Sequence, residues 1–243
     1  MTRSQTTLDE KEALRLLAEG EIRPLGLMPR ASNYTFLAEV SDGSQTALAV
    51  YKPREGETPL WDFPEGTLCV REVAAYLVAK ELGWPSVPPT VLREGPHGLA
   101  SVQLFVEAAT GEHFFTMRER CLDEFLPVAA FDVVVNNADR KSGHCLLGPD
   151  GKIQVVDHGV CFSEDPKLRT VIWDFAGEAI PRNLREDLVR IASDLTSGNL
   201  RRSLTDLLTP AEVDATAKRA ERFAARGRFP FPRTERSYPW PPV

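Results

Sequence analysis

Asn136-Asn137-Ala138-Asp139-Arg140-Lys141-Ser142-Gly143-His144 and Val155-Val156-Asp157-His158-Gly159 are the two stretches on which the reading of this chain turns. Each puts an acid at the end of an apolar run. Asp139 follows Phe131–Val135 and sits in a polar loop, while Asp157, 18 residues on, closes Ile153–Val156 and precedes His158-Gly159. A carboxylate at the end of a buried helix can orient or deprotonate an attacking hydroxyl, because the helix fixes its position. A carboxylate closing an apolar β-run is costly to bury unless a cation or hydrogen bonds compensate it. Taken singly, Asn-x-Asp and Asp-His-Gly are also ordinary turn sequences. The ordered pair is what points to a catalytic acid and a metal-binding acid.

Composition sets the frame for that pair. With 243 residues the chain is one large domain or two lobes around a cleft. Its 42% hydrophobic and 26% charged residues are those of a globular protein rather than a disordered or fibrous one. No apolar run approaches the roughly 18 residues of a membrane span, and Met1–Lys11 lacks the apolar core of a signal peptide, so a cytoplasmic location is expected. Cysteines 69, 121, 145 and 161 show no CxxC spacing and read as reduced thiols, several of them buried. The net charge of −6 argues against a nucleic-acid binder. Between Lys218 and Arg236, however, seven Lys or Arg stand against two Glu, which suits either a solvated helix face or contact with an anionic surface such as lipid.

Upstream of the acids the texture is strand-rich. Residues 9–19 begin with a capping acid and read as a helix. Asn33–Val40 and Ala47–Tyr51, separated by Ser41-Asp42-Gly43-Ser44, read as a hairpin, and Pro53 helps to end the second strand just after Lys52. A helix is expected over Leu68–Leu82, with Val70, Val73, Ala74, Leu77 and Val78 on one face, Glu72 off that stripe and Gly83 as the stop. Two more strands, Pro89–Arg93 and Leu99–Val106, follow. The order helix, hairpin, helix, hairpin predicts an antiparallel sheet with one packed helix. Beyond Val106 the chain turns helical, with segments expected at Leu122–Asn136, Leu184–Leu195 and Pro210–Ala225. Residues 229–243, rich in proline, read as a tail that is either packed on the surface or disordered. The expected class is therefore α+β: a small N-lobe over 1–104, a mostly helical C-lobe over 105–228, and the tail.

Lys52 ends the apolar strand Ala49-Val50-Tyr51, where one ammonium could neutralise nucleotide phosphates if a carboxylate held it; Glu72 is the candidate partner. Five elements in this order resemble the phosphatidylinositol 3- and 4-kinase superfamily, nearest to type II phosphatidylinositol 4-kinases and their bacterial relatives. They are Tyr51-Lys52-Pro53, Arg71–Leu77 with Val87–Thr90, Val102–Val106, Phe131–Arg140 and Val156–Gly159. The resemblance implies a two-lobed protein-kinase-like fold with ATP between the lobes. Carried over, Lys52 contacts the phosphates, Glu72 orients Lys52, and the backbone at Phe105 and Val106 meets adenine. Asp139 is the catalytic base, Asp157 is the main Mg²⁺ ligand, and the loop Ala31-Ser32-Asn33-Tyr34 covers the phosphates with Ser32, Asn33 and its amides.

Two departures qualify that transfer. His144 stands where the family places an Asn on the second metal position, and Mg²⁺ prefers oxygen ligands, so Mn²⁺ use, a one-metal site or weakened activity are open. His158 takes the middle position of Asp-x-Gly and reads as a solvent-tolerant turn residue. Two functions follow as expectations. One is a kinase moving the γ-phosphate of ATP to a hydroxyl of an inositol lipid, a small molecule or a protein. The other is a nucleotide-binding pseudokinase with a regulatory or scaffold role.

Overall fold

The structure, a computed structural model, describes residues 8–29 and 33–243. Two compact units divide the chain: Met1–Val73 with Pro88–Val106, and Ala74–Val87 with Glu107–Val243.

The first unit is built on a five-stranded sheet in the order β1-β2-β3-β5-β4, every pairing antiparallel. Its strands are β1 (Glu21–Leu27), β2 (Phe36–Ser41), β3 (Thr46–Pro53), β4 (Thr90–Gly95) and β5 (Gly98–Leu104). Helix α1 (Glu10–Glu19) starts in a capping box in which Asp9 and Glu12 each accept the other's backbone N–H. Leu16 and Leu17 of this helix pack on Ala38, Val40, Ala47, Ala49, Tyr51 and Val102 to form the core of the unit. Period-2 alternation then decides where Lys52 points: Ala47, Ala49 and Tyr51 face that core, so Lys52 projects from the opposite face.

The sequence pattern passes over β1. Pro24 and Gly26 discourage a strand assignment, but β1 is an edge strand, where a missing N–H is tolerated, and its register shifts between those two residues. Pro53 does not stop β3 short; it pairs with Ala100 as the last residue of the strand.

Helix α2 (Leu68–Leu82) differs from the expected amphipathic helix. Arg71 and Glu72 are as buried as the apolar residues beside them, so no solvent face exists over Leu68–Tyr76. Its N-terminus is held by Glu57, whose carboxylate accepts the N–H groups of Leu68 (3.0 Å) and Cys69 (2.8 Å). A negative group there satisfies orphan donors and complements the helix dipole. The register of Glu72 is thereby fixed by the irregular segment that precedes the helix.

The second unit is mostly helical: α3 (Phe114–Cys121), α4 (Leu126–Val135), α5 (Arg182–Ser197), α6 (Asn199–Thr205) and α7 (Pro210–Arg226), with one short hairpin, β6 (Cys145–Leu147) and β7 (Ile153–Val155). Pro127 occupies the first turn of α4, where its missing N–H costs nothing. The polar stretch before α4 hides α3, which buries Phe114 and Met117 on a short face flanked by charge. Residues 229–243 are anchored at points to the second unit: Phe229 lies against Phe175 and Phe223, and Ser237 accepts N–H groups from Thr170 and Trp173. All four cysteines are free thiols, three of them buried.

Candidate active site

In the first unit, Lys52 Nζ lies 2.5 Å from Glu72 Oε1. The carboxylate is 3% exposed and the ammonium 22%, so the acid is the buried partner and the cation the presented one. Strand β3 is central in its sheet and α2 is held at its N-terminus by Glu57, so the backbone on both sides of the pair is anchored. Phe105, the expected adenine contact, donates its N–H to Leu48 O at 2.9 Å. An adenine contact would therefore fall to its carbonyl or to Val106. Ser32, with Ala31, lies outside the described residues. Asn33 is engaged with the segment ahead of α2: its Oδ1 accepts the Thr58 N–H at 2.8 Å, and the Tyr34 N–H beside it donates to Gly56 O.

In the second unit the two acidic loops are brought together. Helix α4 ends on Asn136 in the left-handed conformation (φ 54°), which turns the chain sharply out of the helix. The Asn136 side chain donates to Ser163 O and Asp165 O and accepts the Lys167 N–H, while Asn137 Oδ1 accepts the Asp139 N–H at 3.0 Å. Asp139 is thus set by an Asx turn on a buried scaffold. Its carboxylate, 34% exposed, meets Lys141 Nζ at 3.2 Å. Burial pushes its pKa above the ordinary carboxylate value, Lys141 pulls it down, and the charge of Asp157 raises it again. Asp157 itself sits at positive φ (63°) and is half exposed, with His144 Nε2 3.2 Å from its Oδ2. A carboxylate whose ionisation is opposed by burial and by a neighbouring acid suits a place where cationic charge is to be received.

What ties the loops is a buried ion pair that the sequence reading missed. Asp132, in the middle of α4, and Arg140, next to Asp139, are both fully buried, and the Arg140 Nε and NH2 groups donate to the Asp132 carboxylate at 3.0–3.2 Å. Asn137 and Thr170 donate to the same carboxylate. Burial works against the charge on Arg140, but the Asp132 carboxylate is the chief group opposing it and the net shift is upward, so the guanidinium stays protonated. From that position Arg140 reaches the other loop, donating to Val156 O at 2.8 Å and lying 2.7 Å from His158 Nε2. A guanidinium has no acceptor, so His158 accepts. His158 is therefore no solvent-tolerant turn residue: it is fully buried, edge-on to Phe131, and forms one wall of the Arg140 site. An ionisable residue inside the apolar run 131–135, eight positions before an arginine, was the signal available for this pair.

A cavity of about 320 Å³ opens beside the Asp139 loop, lined by Phe115, Arg118, Val171, Trp173, Asp174 and Tyr238. Two of its walls are hydrogen-bonded to the loop: Val171 donates to Arg140 O, and Pro242, also in the lining, accepts the Ser142 N–H. Trp173 and Asp174 face this cavity, while Phe175 beside them is buried.

The charge on Asp139 gives a direct test of this geometry. Lys141→Met removes the cation that holds its pKa down, so the acidic limb of a turnover profile should move to higher pH; a limb that stays in place would separate Asp139 from that titration.

Comparison with known proteins fits this architecture. The Mycobacterium tuberculosis protein Rv2133c is 37% identical over 273 aligned positions, spanning 98% of this chain and 97% of that protein. The chain belongs to the Rv2133c family. Outside it, phosphatidylinositol 4-kinase gamma 4 of Oryza sativa subsp. japonica is 32% identical over 128 residues, and phosphatidylinositol 4-kinase gamma 3 of Arabidopsis thaliana is 27% identical over 148. These matches cover 45% and 46% of this chain but only 22% and 26% of the plant proteins. The Helicobacter pylori proinflammatory kinase CtkA superposes with a TM-score of 0.55 at 13% identity, covering 88% of this chain and 94% of that structure. This Rv2133c-family chain therefore has a kinase-like fold. No family model matches the sequence. Among the described residues, no helix is long and apolar enough to cross a membrane.

Proposed function

We propose that the chain is an ATP-dependent phosphotransferase that moves the γ-phosphate of ATP onto a hydroxyl of an inositol lipid, another small molecule or a protein. The observation that carries the reading is the Lys52–Glu72 pair. A carboxylate 3% exposed holds an ammonium that projects from the face of the sheet turned away from the α1 core, an arrangement suited to phosphate neutralisation. Asp139 supplies the second requirement. Held on an Asx turn with a raised pKa, it can orient an acceptor hydroxyl and take its proton as the bond to phosphorus forms.

The residues also fit Mg²⁺ of the kind such chemistry uses. Among the described residues no group of three or more His, Cys, Asp or Glu side chains is gathered to hold a metal, so there is no resident cage. Mg²⁺ is commonly held by one or two carboxylates together with substrate phosphates, and half-exposed Asp157 offers a carboxylate of that type. When bound with the nucleotide, the ion would shield phosphate charge. The aromatic cavity with its Arg118–Asp174 pair (3.3 Å) is the place proposed for the acceptor, since guanidinium and carboxylate together match a group that both donates and accepts.

The test is ATP consumption with Mg²⁺ or Mn²⁺ against a panel of inositol-lipid vesicles, free polyols and a Ser/Thr-containing protein. Wild type is expected to turn over with one acceptor class, and Lys52→Met to lose about 10²–10³-fold, the loss typical of one preorganised charge-stabilising donor. Glu72→Gln should lose less, because the ammonium remains but is no longer aimed. Full turnover by Lys52→Met would sink the reading.

A further inference from the structure

His144 is where the residue type and the expected role disagree, and its hydrogen bonds give a different use for it. The Lys141 N–H lies 3.3 Å from His144 Nδ1. A backbone N–H can only donate, so Nδ1 is the acceptor and the single proton of the neutral ring is on Nε2. Nε2 in turn is 3.2 Å from Asp157 Oδ2, which as a carboxylate oxygen accepts.

We infer that His144 is a positioning residue that holds Asp157 in one orientation by donating from Nε2, and is not itself a metal ligand. Coordination through Nε2 would need the lone pair there. The ring proton would then move to Nδ1 and face the Lys141 N–H donor to donor, so both hydrogen bonds would be lost at once. The backbone agrees with a positioning role. His144 closes a 3-10 turn (Ser142–His144), and its carbonyl accepts the Val156 N–H at 3.0 Å, one residue before Asp157. The imidazole side chain is 15% exposed and the Asp157 side chain 50%, so the ring lies on the protein side of the carboxylate. This is the geometry of a group that orients a ligand from behind, and Mg²⁺ has little preference for nitrogen in any case. The inference rests on Asp157 being the metal-binding acid of a phosphotransferase.

Two measurements on the full chain test it separately from that reading. Long-range ¹H–¹⁵N spectra of the metal-free protein should show His144 protonated on Nε2 and bare on Nδ1; the opposite tautomer overturns the inference. Pulsed electron paramagnetic resonance of Mn²⁺ with a non-hydrolysable ATP analogue should show no directly bound imidazole nitrogen, and a nitrogen coupling that disappears in His144→Leu overturns it. His144→Leu should weaken binding of the Mn²⁺-nucleotide complex about 10–100-fold, the usual cost of losing a ligand-orienting partner. His144→Gln, whose Nε2 also donates, should keep most of the affinity, and a loss equal to that of Leu counts against the inference. If wild type binds no Mn²⁺-nucleotide at all, the phosphotransferase reading falls, while the tautomer still decides whether His144 holds Asp157.

Discussion

Asp139→Asn is expected to reduce phosphoryl transfer by about 10²–10⁴-fold, the range for loss of a positioned general base, while leaving nucleotide binding largely intact. The same substitution should not destabilise the protein. Burial raises the folded-state pKa of Asp139 above its unfolded value, so ionising this carboxylate costs stability. That cost is absent below the unfolded pKa and fully present above the folded one. An amide of the same shape removes it. The thermal midpoint of the nucleotide-free variant at pH 7.5 should therefore equal or exceed that of wild type, with any gain shrinking as pH falls through the carboxylate range. Loss of turnover together with a lowered midpoint would mean that Asp139 is structural; unchanged turnover would mean that it is not the base. Asp157→Ala offers the matching control, since its turnover should also collapse, with its nucleotide affinity no longer responding to metal.

Asp132→Ala should show the reverse pattern, a large loss of stability arising from a residue with no chemical role. Removing one partner of a buried ion pair strands the other charge, at about 3–5 kcal/mol. Here the stranded group would be fully buried Arg140, together with the donors of Asn137 and Thr170. A denaturant titration should place the unfolding free energy of the second unit lower by that amount, and a loss under about 1 kcal/mol would contradict the geometry. Asp132→Asn, which keeps the acceptor for Asn137 but not the charge, should fall between Ala and wild type.

The two substitutions mark what could and could not be seen from the sequence. Lys52, Glu72, Asp139 and Asp157 stand out in the sequence as candidates because each ends or interrupts a regular pattern: a strand, a helix stripe, or an apolar run. The ion pair between Lys52 and Glu72 is inferable from the order and separation of the strand and the helix that carry them. Asp132 and Arg140 are harder to read as a pair, because the charge inside the apolar helix signals a partner without naming it, and that partner lies beyond a left-handed turn at Asn136. His158 was misread for the same reason. Its burial comes from Arg140 and Phe131, neither of which is adjacent in sequence. The edge strand β1 and helix α3 were hidden by local composition that the tertiary setting overrides.

Arg140 reaches Asp132, Val156 and His158 from a single side chain, and so gives the two acidic loops one opening equilibrium. Backbone amides on both sides of it, such as Asn137 on Asp132 O and Val156 on His144 O, would then share one opening free energy in hydrogen exchange. An opening that broke the Arg140 contacts would release both acids together rather than one at a time.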